Sequence, residues 1–484
     1  MSTLQEIAQS DDYGQFELKE VYQAAQLLLQ EFQKTRTQPE KLKEIIEHLK
    51  KRLEGQAAYP LAILLESSKL GVEHQLQKDW NSPMKQRQLF LFESLYAQFR
   101  GKVPPTIWNQ ICLNYAEALI YVGRSLDGLN VLEQMTEAEN DPSYERLDAE
   151  RGWGLLFYST FLRDKDAKGE ALHLSRDLLR DGIEKITNTN GRALYADRLK
   201  LAVKMLEEIG PIDLTGSYKP NFFEGRERDY RDWCAKHRLL LNDNNEVDPT
   251  GTMKIDTLNY RHVGSDKERG LFLETFMDSI VSEFTGLRWN LFEALEKEPS
   301  DERNEELKTV YRQSYTLFSK VSQFVSQYYK LEMTNPRAGM QRMWFEEEDP
   351  KKPLKPFIRD SKNGALKALF WLSKELFGYE QSAVQNVATV RSLLIRDQLE
   401  RSFVQVITKK EEIAETGELR KHQMTQVELE RLAQTTLFKA RNALMYLGFA
   451  IGLEKNNKQR HSDFECRCFH EFISVISTSG ASMI

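Results

Sequence analysis

The stretch Val390-Arg391-Ser392-Leu393-Leu394-Ile395-Arg396-Asp397-Gln398-Leu399-Glu400-Arg401-Ser402-Phe403-Val404-Gln405-Val406 reads as one amphipathic helix interrupted by three arginines. At about 100° per residue, Arg391, Arg396 and Arg401 spread over the helix surface instead of forming one narrow stripe. Arg396 is followed by the acid Asp397, and Arg401 stands five positions further on, within about one and a half turns. An arginine holds a phosphate but does not exchange a proton near neutral pH. This helix is therefore suited to gripping a phosphate and poorly suited to acid–base chemistry, unless its arginines simply pair with Asp397 and Glu400.

The segments around it are helical too. Phe272, Phe276, Ile280, Phe284, Leu287 and Leu291 mark one long amphipathic helix over 271–295, interrupted by Glu283 and Arg288. Val310, Leu317, Val321, Phe324 and Tyr328 mark a second over 305–331, closed by Pro336. Ala365, Leu369, Leu372 and Leu376 mark a third over 363–377, containing Phe370-Trp371-Leu372-Ser373-Lys374-Glu375-Leu376-Phe377. After a charged segment, 409–426, a last helix over 427–453 carries Leu429, Leu432, Leu437, Ala440, Leu444, Leu447 and Ala450. Four or five such helices with inward apolar stripes make an up-and-down bundle. Between the second and third lies a polar, proline-containing insertion, 346–356, whose acids Glu346 to Asp349 read as a solvated loop. Consecutive carboxylates point in different directions and do not converge on a metal.

The first 210 residues show repeated helical periodicity with few β-branched runs. Val21, Ala24, Leu28 and Phe32 form one apolar face, Tyr59, Ala62, Ile63 and Leu65 another, with a solvated run at 41–51 between them. In 112–135, Tyr115, Ala116 and Leu119 precede a turn at Gly123, and Gly128, Leu132 and Met135 come after it. Small residues at Ala116 and Gly128 let two helices approach closely. The unit resembles a tetratricopeptide repeat, and Leu155, Ser159 and Leu162 with Ala171, Ser175 and Leu178 form a second candidate. Gly128 and Ala171 are farther apart than the usual period of about 34 residues. Divergent repeats and generic helical hairpins thus both stand, either presenting a concave recognition surface or buttressing the C-terminal domain. The pattern breaks at Gly210-Pro211.

Taken as an ordered set, Asp229-Tyr230-Arg231-Asp232-Trp233-Cys234, Arg238-Leu239-Leu240-Leu241-Asn242, Glu283 with Arg288, Phe370 to Phe377 and the Arg396 helix resemble a prokaryotic branch of the HEPN superfamily. The similarity spans roughly residues 220–455, and Trp233 and Cys234 read as packing residues within it. The family signature is an arginine, a polar residue and, with four to six residues intervening after the arginine, a histidine; Arg396 and Asp397 fit, and Arg401 occupies the place of the histidine. The resemblance implies metal-independent endoribonuclease ancestry. By that resemblance Arg396 contacts the scissile phosphate, Asp397 orients its neighbours, and Arg401 replaces the proton-transfer residue, with Arg391, Arg396 and Arg401 as RNA-binding candidates. Bundles of this family commonly dimerise around a shared cleft. Three readings of the helix are open: RNA or nucleotide binding without efficient cleavage, a nuclease whose proton carrier lies elsewhere, and a structural helix. A second phrase, Arg441-Asn442-Ala443-Leu444-Met445-Tyr446, imitates the signature with tyrosine for histidine and reads as structural, with Arg441 in reserve.

The expected architecture is all-α: a tetratricopeptide-like repeat domain over 1–210, a linker and entry segment over 211–260, a HEPN-like bundle over 261–455 and a tail over 456–484. The expected function is RNA or nucleotide binding in a prokaryotic defence or toxin-type system. The alternative is a scaffold whose repeats bind a protein partner while the bundle dimerises. A net charge of −6 confines any nucleic-acid contact to a local basic patch. Four cysteines, no signal segment and no apolar stretch of membrane length point to the cytoplasm and away from a membrane. No cofactor is implied, and no metal site. The tail residues His461, Cys466, Cys468 and His470 lack the paired spacing of a zinc knuckle, and there is no phosphate-binding glycine loop, zinc-helix motif or nucleophile elbow.

Overall fold

The structure, a computed structural model, describes residues 4–77, 79–138, 141–187, 189–212, 223–243, 245–247, 255–258, 267–333, 339–377, 405–407 and 423–459. It is all-α apart from one short strand pair among the described residues. The chain begins with α1 (Leu4–Gln9), α2 (Leu18–Thr35) and α3 (Pro39–Leu53). α2 starts in a capping box between Glu17 and Glu20 and buries Val21, Ala24, Leu28 and Phe32, the predicted face. α3 occupies the run expected to be solvated. Its lysines and glutamates do face outward, but Leu42, Ile45, Ile46 and Leu49 recur at three- and four-residue spacing and are buried.

Successive helices then pair as hairpins: α4 (Tyr59–Leu76) with α5 (Pro83–Phe99), α6 (Pro105–Tyr121) with α7 (Ser125–Leu132), and, after α8 (Pro142–Glu145), α9 (Leu147–Ser159) with α10 (Lys165–Lys185). α11 (Thr189–Ile209) packs on α10. The small residues fix these pairings. A Cβ on Gly128 would lie 2.7 Å from Ile120 and 3.0 Å from the Ala116 carbonyl, which confirms the close approach read from those positions. In the next hairpin a Cβ on Gly182 would lie 2.5 Å from the Ala149 nitrogen, and Ser175 Oγ donates to the Gly152 carbonyl at 2.7 Å.

The C-terminal half contains α12 (Gly225–Lys236), α13 (Lys267–Glu296), α14 (Asp301–Tyr329), α15 (Gly339–Arg342), α16 (Pro356–Arg359), α17 (Gly364–Phe377), β1 (Gln405–Ile407), β2 (Gln423–Thr425) and α18 (Gln426–Gln459). α13, α14 and α17 pack against α18, which carries a nearly unbroken buried run from Ala443 to Leu447. β1 pairs in parallel with β2, Val406 opposite Met424. The stretch from Val390 is therefore not helical to its end, because the β-branched Val406 and Ile407 enter the ladder instead. The insertion at 346–356 is less solvated than its acids suggest: Phe345 bridges Leu354, and the buried Glu348 pairs with Lys355 at 2.9 Å.

One core runs through both halves, from Ile63 to Leu453, and a separate cluster holds α1–α3 to α4. Gly123, at φ 88°, turns the chain between α6 and α7 so tightly against α17 that a Cβ there would meet the Gly364 carbonyl at 2.8 Å. Phe161 stacks on Phe449 at 5.8 Å, and Tyr158 donates to the Asp243 carbonyl at 2.6 Å. No helix among the described residues is long and apolar enough to cross a membrane.

Candidate functional site

Arg391, Arg396, Asp397 and Arg401 lie outside the described residues, as do His461, Cys466, Cys468 and His470 of the tail. The second arginine phrase, on α18, is described in full. Arg441 is completely buried: Nε donates to the Leu240 carbonyl at 2.9 Å, and Nη1 donates to Glu246 at 2.9 Å and to Asn442 Oδ1 at 3.1 Å. Glu246 also accepts from Arg238, whose other terminal nitrogen reaches Glu133 next to α7.

One helical turn carries the network onward. Asn442 Nδ2 donates to Asp127 Oδ1 at 3.1 Å and the Tyr446 hydroxyl donates to Asp127 Oδ2 at 2.9 Å. Asp127 Oδ2 also accepts from Arg124 Nε at 3.1 Å, and the far side of that guanidinium meets Glu375 of α17. Lys439 meets the same Glu375. Burial opposes ionisation of Glu375, but the positive charges of Arg124 and Lys439 outweigh it and hold the carboxyl at about 2. Glu93 of α5 lies beside them; burial first, then the negative Glu375, push its carboxyl up to about 8. Burial pushes the Tyr446 hydroxyl well above its ordinary range, and Asp127 adds to the shift.

An ionised group this deep is tolerated only when its charge and hydrogen bonds are matched. The matching here joins α7, the segment 238–246, α17 and α18 into one interlock between the hairpins and the bundle. It can order structure; Arg441 supplies no proton carrier near neutral pH, and its side chain is completely buried among the described residues. The reading of Arg441 as structural thus agrees with where the structure puts it.

Arg288 on α13 behaves the same way. It is buried, donates to the Tyr230 hydroxyl and the Leu239 carbonyl at 2.8 Å each, and grips Asp256 with two bonds of 2.8 and 2.7 Å. Glu283, the other residue that interrupts the same face, pairs with Lys320. Cys234 is fully buried, and burial pushes its thiol up to about 11, which removes it from nucleophilic chemistry at neutral pH. The sequence reading missed Asp127, Glu246 and Arg124 altogether, and quoted Arg238 without giving it a role. The available signal was a charged residue inside the apolar phrase from Ala440 to Leu447, which demands a buried partner without saying where it is.

No curated protein and no solved structure matches the chain. Residues 266–454, running from the start of α13 into α18 and spanning Arg396, Asp397, Arg401 and Arg441, match the family model described as LA2681-like HEPN, and it is this segment that places the C-terminal bundle in the HEPN superfamily.

Proposed function

We propose that the chain is a HEPN-like protein that binds RNA or a nucleotide through Arg396, with Arg391 and Arg401 beside it, and cleaves RNA slowly or not at all. The observation that carries this reading is the family match over 266–454, a span that contains Arg396 and Asp397 and, where the resemblance expects a histidine, Arg401. Metal-independent cleavage needs a group to take the proton of the 2′-hydroxyl and another to protonate the leaving oxygen. Arginine supplies charge to the phosphate and neither proton step. Arg441 is not counted among the RNA contacts, since it is completely buried, with Nε held by Leu240 and Nη1 by Glu246 and Asn442.

The reading includes a homodimer through the bundle, a tetratricopeptide-like hairpin array that receives a protein partner, and work in a prokaryotic defence or toxin-type pathway. Leu271 and Phe272 on α13, 66% and 56% exposed, supply apolar surface suited to a second copy. A non-catalytic scaffold is the second reading; the charged interlock favours it, because it commits Arg124, Arg238 and Arg441 to joining hairpins to bundle.

The test is single-stranded RNA binding and cleavage by the wild type and Arg396→Ala, with oligomeric mass measured on the same samples. Binding that Arg396→Ala weakens, with little cleavage, is expected. Arg401→His raises cleavage if the rest of the cleft is intact. Vigorous chelator-insensitive cleavage lost in Arg396→Ala overturns the view that catalysis has decayed, and no RNA or nucleotide binding at all leaves the scaffold.

A further inference from the structure

A cavity of about 210 Å³ opens among the helices of the hairpin array, far from the Arg396 phrase in sequence, with walls from α2, α4, α6, α8 and α11. A single water needs about 10–15 Å³ of such space, so there is room for a ligand of amino-acid size. Leu64, Leu113 and Leu194 give it apolar walls.

Two charged side chains among the described residues line it, and they are opposite in sign: Glu145 and Arg146. Arg146 is anchored from behind. Its Nε donates to the Tyr195 hydroxyl at 3.1 Å and its Nη2 to the buried Glu150 at 3.4 Å, while Nη1 makes no hydrogen bond among the described residues. Glu145 accepts from Thr187 Oγ1 at 3.3 Å through Oε2 and leaves Oε1 without a hydrogen bond among the described residues. A guanidinium already oriented by its other nitrogens is suited to a carboxylate, and an adjacent free carboxylate oxygen to an ammonium.

We propose that this cavity binds a small zwitterion of the amino-acid type, its carboxylate on Arg146, its ammonium at Glu145 and an apolar side chain against Leu64, Leu113 and Leu194. A purely anionic ligand leaves Glu145 opposed to it, and a purely cationic one leaves Arg146 so. The side-chain amide of Gln110 and the hydroxyl of Ser68, both lining the cavity, can serve the remaining polar atoms.

The experiment is calorimetric titration of the full chain with L-leucine and L-phenylalanine, and in parallel with leucinamide, which lacks the carboxylate, and 4-methylpentanoate, which lacks the ammonium. Binding of at least one amino acid with a dissociation constant of about 1 mM or below is expected, weakened about tenfold or more by loss of either charged group. Glu145→Gln weakens the amino acid and spares 4-methylpentanoate, and Arg146→Gln weakens the amino acid and spares leucinamide. Because Arg146 also supports Tyr195 and Glu150, Ser68→Phe on α4 serves as the second variant, filling the cavity without touching that anchor. No binding of either amino acid, equal binding of all four compounds, or binding unchanged in Ser68→Phe overturns the proposal.

Discussion

Replacing Arg441 by methionine separates a structural arginine from a ligand-binding one. The substitution keeps the side chain long and apolar, so the loss is of charge and hydrogen bonds more than of volume. Arg441→Met strips the Leu240 carbonyl of its donor at 2.9 Å, a buried loss of about 1–3 kcal/mol. It also breaks the pair with Glu246, for which removing one partner costs about 3–5 kcal/mol when the other charge is stranded. Glu246 keeps Arg238, so its charge is not stranded and the pair loss sits at or below the lower end of that range. The total comes to about 3–5 kcal/mol, a large part of the roughly 5–15 kcal/mol that holds a typical domain folded. Urea denaturation followed by far-ultraviolet circular dichroism and by tryptophan fluorescence reads this out, with RNA binding measured by anisotropy on the folded protein below the transition. The expected result is a marked fall in midpoint with RNA affinity unchanged. Stability within about 0.5 kcal/mol of wild type together with lost RNA binding refutes the reasoning, since Arg441 then meets the ligand and not Glu246.

Two further outcomes test the packing and the electrostatics. Gly182→Ala places a methyl 2.5–2.8 Å from backbone and side-chain atoms of Ala149, so α9 and α10 must separate; a loss of about 1–3 kcal/mol in chemical denaturation is expected, whereas a gain, as from Gly→Ala in an open helix, rejects the close approach. The Glu93 carboxyl, raised to about 8 from an ordinary 4.5, keeps its proton when folded over a range in which the unfolded chain has released it. Stability from this group is therefore full below 4.5 and declines as pH rises toward 8. Glu93→Gln flattens that part of the stability–pH profile, and an unaltered slope contradicts the placement of Glu93 beside Glu375. Glu375, held at about 2, acts with the opposite sign: its contribution is present above 4.5 and is lost as pH falls toward 2.

Most helices were legible because a buried stripe leaves a three-to-four-residue rhythm whatever it packs against; α2, α13, α14, α17 and α18 all carry theirs in plain view. α3 was misread because its charges outnumber the five apolar positions that decide its burial. β1 was misread because a three-residue strand needs a partner from elsewhere in the chain, and Gln423–Thr425 gives no local sign of being that partner. For the candidate site, the Arg396 phrase was read from residues that the structure does not describe, so its standing rests on the family match over 266–454.

The sequence by itself determined that the chain is helical, that Ala116 and Gly128 bring two helices together, and that an arginine, Arg401, stands five positions after Arg396 with no histidine between them. These are local facts, written in side-chain size, spacing and the protonation chemistry of one residue type. Only the tertiary structure decided what Arg441 does. Its partners Leu240, Glu246 and, through Asn442 and Tyr446, Asp127 lie roughly 200 to 320 positions earlier in the chain. Periodicity states which face of a helix is buried, but the matching of a buried charge depends on which distant carboxylate the folded chain brings within about 3 Å, and that is a property of the packing alone.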